Sequence, residues 1–212
     1  MFNYRLTFEK GERVKYISHL DLNRCFIRAI KRAELPVYYT EGFNPHPYLV
    51  FPPPLSVGLT SKGEIMDMFL YSKIPANTVM KELNNTLPNG IIITKAAEPK
   101  SKLNDIAFAL YKIELEDIAL NELEKIKTLP EIKVIKKTKK GEREIELKPC
   151  FSSIDFKNNE NSIHFEVMLP CDSINPINPL LLIEAINKYL SKDITANITR
   201  ISFYNSKKEL FS

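Results

Sequence analysis

The chain has 212 residues, 44% of them hydrophobic and 26% charged, with a net charge of +4. That is enough apolar material for packed cores in one large or two small domains, and no run of about 18 apolar residues suggests a membrane-spanning helix. The three cysteines, Cys25, Cys150 and Cys171, are widely separated and form no C-x-x-C pair or iron–sulfur spacing. Neither a disulfide framework nor a cluster is expected, and the N-terminal Met-Phe-Asn-Tyr-Arg lacks the apolar core of a signal peptide. A cytoplasmic location is the expectation. The charge is uneven: residues 1–100 carry 13 Lys/Arg against 9 Asp/Glu, whereas residues 101–212 balance at 17 and 17.

In chain order, Phe2 to Glu9 alternates apolar and polar residues and reads as a strand. A helix follows from Ser18 to about Leu35, stopped by Pro36. Val37 to Tyr39 reads as a short extended piece. Tyr48 to Phe51 and Leu55 to Leu59 read as strands on either side of Pro52-Pro53-Pro54. After a Ser61-Lys62-Gly63-Glu64 turn, Ile65 to Tyr71 is a strand. Pro75 to Thr86 is a second helix with Pro75 near its first position, and Gly90 to Ala97 returns as a strand. Pro99 to Asp105 then reads as a linker between a domain over 1–98 and another over 106–212.

The second half opens with a strand, Ala107 to Leu115, and a helix, Ile118 to Thr128, ended by Pro130. Ile132 to Lys139 and Arg143 to Lys148 form a hairpin about Lys140-Gly141. Ser153 to Phe156 and Ser162 to Leu169 pair about Asn158-Asn159-Glu160-Asn161. A helix over Pro179 to Leu190 and a strand over Ala196 to Tyr204 close the chain. Each half contains the order β-α-β-β-α-β, the second with an extra β-hairpin, so the expected fold class is α+β with two tandem ferredoxin-like units.

The most unusual side chains lie between Tyr16 and Glu64. Ser18 and Asp21 stand at capping-box spacing. Leu22, Phe26, Ala29, Ile30 and Ala33 share one helix face, leaving Arg24, Arg28, Lys31 and Arg32 on the other. Four cations on a helix are commonly a solvated outer face; the sharper reading is an anion-binding stripe, since the planar fork of arginine suits phosphate. Arg24, Arg28 and Arg32 recur at i, i+4 and i+8, a track of about 12 Å. The following loop packs Glu41, Gly42, Phe43, Asn44, Pro45, His46 and Pro47 together. The prolines restrict Asn44 and His46, and Gly42 can supply a positive φ. Such a loop presents Phe43 and His46 stiffly, as a binding loop needs, or else it is a stiff connection with Phe43 tucked inward.

The order YISHLDL, RAIKRA, EGFNPHP, LSVG and S-K-G-E resembles a bacterial domain of unknown function associated with radical SAM proteins, specifically over residues 1 to about 100. The resemblance implies a partner, a cobalamin-binding radical SAM protein to which the domain is fused or beside which it is encoded. It also implies an RNA setting, ribosomal or transfer. The tandem architecture is similar to the RAMP superfamily, whose endoribonucleases use histidine, tyrosine or lysine for proton transfer; Tyr16, His19 and His46 are the residues that suit such roles. The glycine-rich loop those proteins carry late in the chain is missing, since the last glycine is Gly141.

No phosphate-binding glycine motif occurs, so no nucleotide cofactor is expected. No set of metal ligands converges: His19 and Cys25, six apart, do not share a helix face. Lys133, Lys136, Lys137, Lys139, Lys140 and Arg143 interleave with Glu131, Glu142, Glu144 and Glu146, as on a solvated edge hairpin. The expectation is an accessory module with no catalytic residues of its own, binding RNA or presenting substrate. Ser18, His19, Asp21, Arg24, Arg28, Arg32, Glu41, Gly42, Phe43, Asn44 and His46 form its expected surface. A pure protein–protein adaptor and an endoribonuclease are the alternatives.

Overall fold

A computed structural model describes residues 1–138, 141–159, 162–172 and 175–211. The described chain is a mixed α+β protein with largely antiparallel strand pairing and five α-helices. It divides into two compact units. One comprises Met1–Ala107 with Arg200–Ser212, the other Phe108–Thr199. No described helix is long and apolar enough to cross a membrane.

In the first unit, β1 (Phe2–Lys10) pairs antiparallel with β3 (Thr60–Leu70) on one side and β4 (Ile91–Ala97) on the other. The two-residue β2 (Leu49–Val50) lies along β3 at Met68 and Asp67. The alternation of β1 places Tyr4, Leu6 and Phe8 on the face that also receives Met66, Met68 and Leu70 of β3. Two helices cover this face, α1 (His19–Arg32) and α2 (Ala76–Thr86), burying Leu22, Phe26 and Ile30 from one and Val79 and Leu83 from the other. α1 starts at its cap, as expected: the Ser18 hydroxyl accepts from the Asp21 amide at 3.1 Å and donates to the Asp21 carboxylate at 2.7 Å. It ends earlier than Pro36 requires, because Glu34 adopts a left-handed φ of 52°.

Two local expectations give way here. Ser61-Lys62-Gly63-Glu64 is not a turn but the beginning of β3. The last strand, β10 (Ala196–Asn205), runs past it, and a Cβ on Gly63 would stand 2.2 Å from the Ile201 carbonyl oxygen. Glycine there serves close backbone approach within a sheet rather than chain reversal. Leu55 to Leu59 forms no strand; it is a loop in which the Gly58 amide donates to the Lys15 carbonyl at 2.9 Å.

In the second unit, β5 (Ile106–Glu116) pairs along its length with β9 (Ser162–Pro170), and the short β8 (Lys157–Asn158) adds to β9. Helices α3 (Leu120–Thr128) and α5 (Leu180–Leu190) bury Leu123, Ile126, Leu182 and Ile186. The expected hairpin is present as β6 (Lys133–Thr138) and β7 (Gly141–Glu146), although Lys139 and Lys140 at its turn lie outside the described residues. Two of its cations are engaged, as on a solvated edge: Lys133 pairs with Glu131 at 2.6 Å, and Lys136 donates to the Pro176 carbonyl at 2.6 Å. Ser153 to Phe156 is not a strand. The chain forms α4 (Lys148–Ser152) instead, with a proline in its first turn and Phe151 buried, and the Ser152 and Ser153 hydroxyls bond back to its carbonyls. Those local bonds outcompete a short pairing. Of the expected turn over 158–161, Glu160 and Asn161 lie outside the described residues.

Candidate functional site

The site residues expected from sequence all fall in the first unit, on two features. The first is α1. Its apolar stripe is buried as the periodicity requires, so Arg24, Arg28, Lys31 and Arg32 are turned outward and exposed. The cations are not equivalent. Arg24 reaches the Asp21 carboxylate at 3.3 Å, and Arg32 donates to the Thr86 carbonyl at the end of α2 at 2.6 Å. Among the described residues, Arg28 and Lys31 are the members of the stripe whose side chains have no hydrogen-bond or ion-pair partner, and Arg28 is the arginine of the two. Asp21 is held below the usual carboxylate range, chiefly by the Ser18 hydroxyl and then by Arg24. It therefore remains an anion that caps the positive end of the helix.

The second feature is a hairpin-like excursion from Tyr38 to Tyr48. Its stem is fixed by the Tyr38 amide on the Phe69 carbonyl at 2.7 Å and the Tyr48 amide on the Tyr38 carbonyl at 2.8 Å. Thr40 closes the tip: its amide donates to the His46 carbonyl at 2.8 Å, and its hydroxyl accepts from the His46 amide at 3.2 Å. The His46 ring turns back, with Nδ1 3.1 Å from the Asn44 carbonyl and 3.2 Å from the Thr40 hydroxyl. Gly42 takes the expected positive φ, 120°. Glu41 accepts from the Tyr38 hydroxyl at 3.3 Å, and its charge is the main cause that holds the Tyr38 phenol above its ordinary pKa. Phe43 is fully exposed, at 106% of its reference area. The hairpin base is aromatic: Tyr38 contacts Tyr71 with ring centroids 5.2 Å apart, and Tyr48 stacks on Phe69 at 4.7 Å.

The two features are not joined. Among the described residues no hydrogen bond, ion pair or ring contact links Glu41–His46 to α1. His19, at the first position of α1, packs edge-on against Phe51 with centroids 5.2 Å apart. Tyr16, His19 and His46 are likewise linked by no hydrogen bond or ring contact.

Beneath the start of α1 lies a polar group that the sequence reading passed over. Arg200 of β10 forms a two-pronged ion pair with Glu64 of β3, at 2.7 and 2.5 Å, and also donates to the Pro53 carbonyl at 3.2 Å. Lys10, only 2% exposed, donates from Nζ to the Lys15 carbonyl at 2.8 Å and toward that of Leu59 at 3.4 Å. Burial pushes the Lys10 ammonium down, opposed by Glu64 and aided by Arg200. Burial also lowers the His19 pKa, again opposed by Glu64 and aided by Arg200. A signal for this group is present in the strand alternation. Lys10 continues the inward series Tyr4, Leu6, Phe8, and Glu64 begins the inward series Met66, Met68, Leu70. Charged residues in inward register are buried unless the strand ends first, and here it does not. Among the described residues no group of three or more His, Cys, Asp or Glu side chains is placed to hold a metal.

Among solved structures, the crystal structure of an unknown protein from Galdieria sulphuraria is similar at 12% identity, covering 94% of this chain and 98% of that one, with a TM-score of 0.28. A likeness at that level supports no argument about fold or activity. No curated protein matches the chain. Residues 3–179 match the family described as an uncharacterized protein conserved in bacteria (DUF2344), and the chain belongs to that family.

Proposed function

We propose that this chain is a binding module with no catalytic chemistry of its own, which holds a single-stranded RNA for a cobalamin-binding radical SAM partner in the cytoplasm. The observation that carries the RNA part is Phe43. It is fully exposed at the tip of a hairpin whose stem and turn are hydrogen bonded, so its ring is offered without the entropy cost of ordering a loop. A base stacked on such a ring gains roughly 1–3 kcal/mol. Arg28, with its guanidinium unengaged, supplies phosphate contact from α1, flanked by the more weakly committed Arg24. The radical SAM partner is what the sequence motifs imply by resemblance. The proposal also reads the first unit as ferredoxin-like, supported by the neighbour relations of β4, β1, β3 and β2 in its sheet, and the second as a decorated counterpart.

The test is a filter-binding salt titration with unstructured RNA. Phe43→Ala is expected to weaken binding by roughly 1–3 kcal/mol. Arg24→Ala with Arg28→Ala is expected to lower the slope of log K against log salt by about one to two contacts. Neither change touches the core, so melting temperatures stay near the parent's. RNA affinity indifferent to salt and to Phe43 removes this reading. The second reading, a pure protein–protein adaptor, is favoured by the exposed apolar side chains Tyr16, Leu20 and Val57 near the start of α1. It predicts copurification with the radical SAM protein that persists after nuclease treatment.

A further inference from the structure

The face of the first unit's sheet that the helices leave uncovered carries its own cleft. Alternation that sends Leu6, Phe8, Met66 and Met68 toward α1 and α2 sends Asn3 and Arg5 of β1 and Asp67 and Phe69 of β3 to the opposite side. Residues 99–105, expected from sequence to be a mere linker, run along this side. They are anchored where Arg5 donates to the Ser101 carbonyl at 2.8 Å. Between that segment and Asn3, Val50, Asp67 and Phe69 lies an open cleft of about 720 Å³, within the range of small-ligand sites.

Its chemistry is specific. At Arg5 and Asp67 charge is cancelled by a buried two-pronged ion pair, at 2.8 and 3.0 Å, so the Asp67 carboxylate does not repel an anion. One wall is Phe69, backed by the stacked ring of Tyr48 at 4.7 Å. Beside it stands Asn3, directly opposite Phe69 in the strand register, whose Oδ1 is buried with no hydrogen-bond partner. An unpaired buried acceptor is costly, so a ligand N–H that reaches it from the cleft gains more than an ordinary hydrogen bond. Lys100 and Lys102 stand at the rim, both exposed, against the single carboxylate of Asp105.

An aromatic wall, an amide able to donate and accept at once, and cations a few residues away are the complement of a nucleotide. We infer that this cleft binds one adenine nucleotide. The base packs on Phe69, its amino edge is paired by Asn3 as amides pair adenine, and its phosphate is met by Lys100 and Lys102. The site is separate from the arginines of α1 and does not depend on them.

Isothermal titration of the whole chain at low salt with adenosine monophosphate, ribose 5-phosphate and pentaadenylate tests the assignment. Adenosine monophosphate is expected to bind about tenfold more tightly than ribose 5-phosphate. Asn3→Leu and Phe69→Leu are each expected to lose about tenfold. Lys100→Ala with Lys102→Ala lies on the exposed rim and leaves the fold intact. It is expected to weaken the nucleotide and flatten the salt dependence of its binding, which the variants of α1 leave as in the parent. Tighter binding of pentaadenylate than of the mononucleotide identifies a strand as the source, and equal binding identifies a free nucleotide. The inference is overturned if adenosine monophosphate fails to bind at millimolar concentration. It is equally overturned if ribose 5-phosphate binds as well, or if the rim variant binds as the parent does. Arg24→Ala with Arg28→Ala is expected to leave mononucleotide binding unchanged, so failure of the RNA reading and failure of this one are distinguishable.

Discussion

Arg24, Arg28 and Arg32 lie exposed along α1, whereas Arg5 and Arg200 lie buried in the sheet at 3% and 1% exposure. The buried pair each grip a carboxylate with two nitrogens, Arg5 on Asp67 and Arg200 on Glu64, and each adds a backbone carbonyl. The exposed ones make at most one contact each, to Asp21 or to the Thr86 carbonyl. The difference lies in solvation. A guanidinium removed from water needs nearly all its donors answered within the protein, and once answered they are unavailable to anything else. A guanidinium in water commits few donors and keeps the rest for a ligand. Residue type alone does not separate these roles, since all five are arginines in the same unit.

The comparison is broken most forcefully from the buried side. Glu64→Ala leaves the Arg200 charge in the interior without its carboxylate, and a loss of about 3–5 kcal/mol in urea-unfolding stability is expected. Arg28→Ala is expected to change the same measurement by less than about 0.5 kcal/mol. If the two losses are alike, the distinction between buried, architectural arginines and solvent-facing ones fails. Replacing both buried partners together, Glu64→Leu with Arg200→Met, is expected to recover part of the loss, because the guanidinium no longer lacks its carboxylate while the buried Lys10 still loses Glu64 as its counter-charge.

A smaller effect belongs to the start of α1. Ser18→Ala removes the acceptor for the Asp21 amide, and a loss of about 1 kcal/mol is expected by urea unfolding, with Ser18→Asp restoring most of it. A cap that proves silent would mean α1 is held by its apolar face alone.

The smallest is a pH effect at His19. Burial lowers its pKa in the folded chain, with Glu64 opposing and Arg200 reinforcing the shift. The unfolded chain therefore takes up the proton first, so the folded state is favoured above the unfolded value near 6.5 and loses that contribution as pH falls through the lower folded value. A slight drop in the urea midpoint is expected between about pH 7 and 5, and His19→Gln should flatten it. The ring is partly exposed, so the change is small beside that of Glu64→Ala.

Much of the first unit was legible because its signals are local. The cap at Ser18 and Asp21, the apolar stripe from Leu22 to Ile30 and the alternation of β1 are set by residues within a few positions of one another. The same holds for Gly42 and the prolines around His46, which shape a loop tip without help from the rest of the chain. The Ser61–Glu64 stretch misled for the opposite reason. Its composition is that of a turn, and distant strands make it a strand: β1 pairs with it at Glu64 and Ser61, and β10 approaches Gly63 from about 140 residues later.

The sequence by itself determined which residues would be exposed on α1 and that Phe43 would sit on a stiff loop, since helical period and proline geometry need no distant partner. Tertiary structure alone decided which charges are free. It brought Arg200 to Glu64 and Asp67 to Arg5 across long stretches of chain, brought Lys10 to the Leu59 carbonyl, and set residues 99–105 against Phe69 and Asn3 to form a cleft. Those are long-range pairings, fixed by strand register and by the cost of leaving a buried charge unanswered; alternation marks Lys10 and Glu64 as inward, but no local pattern names their partners.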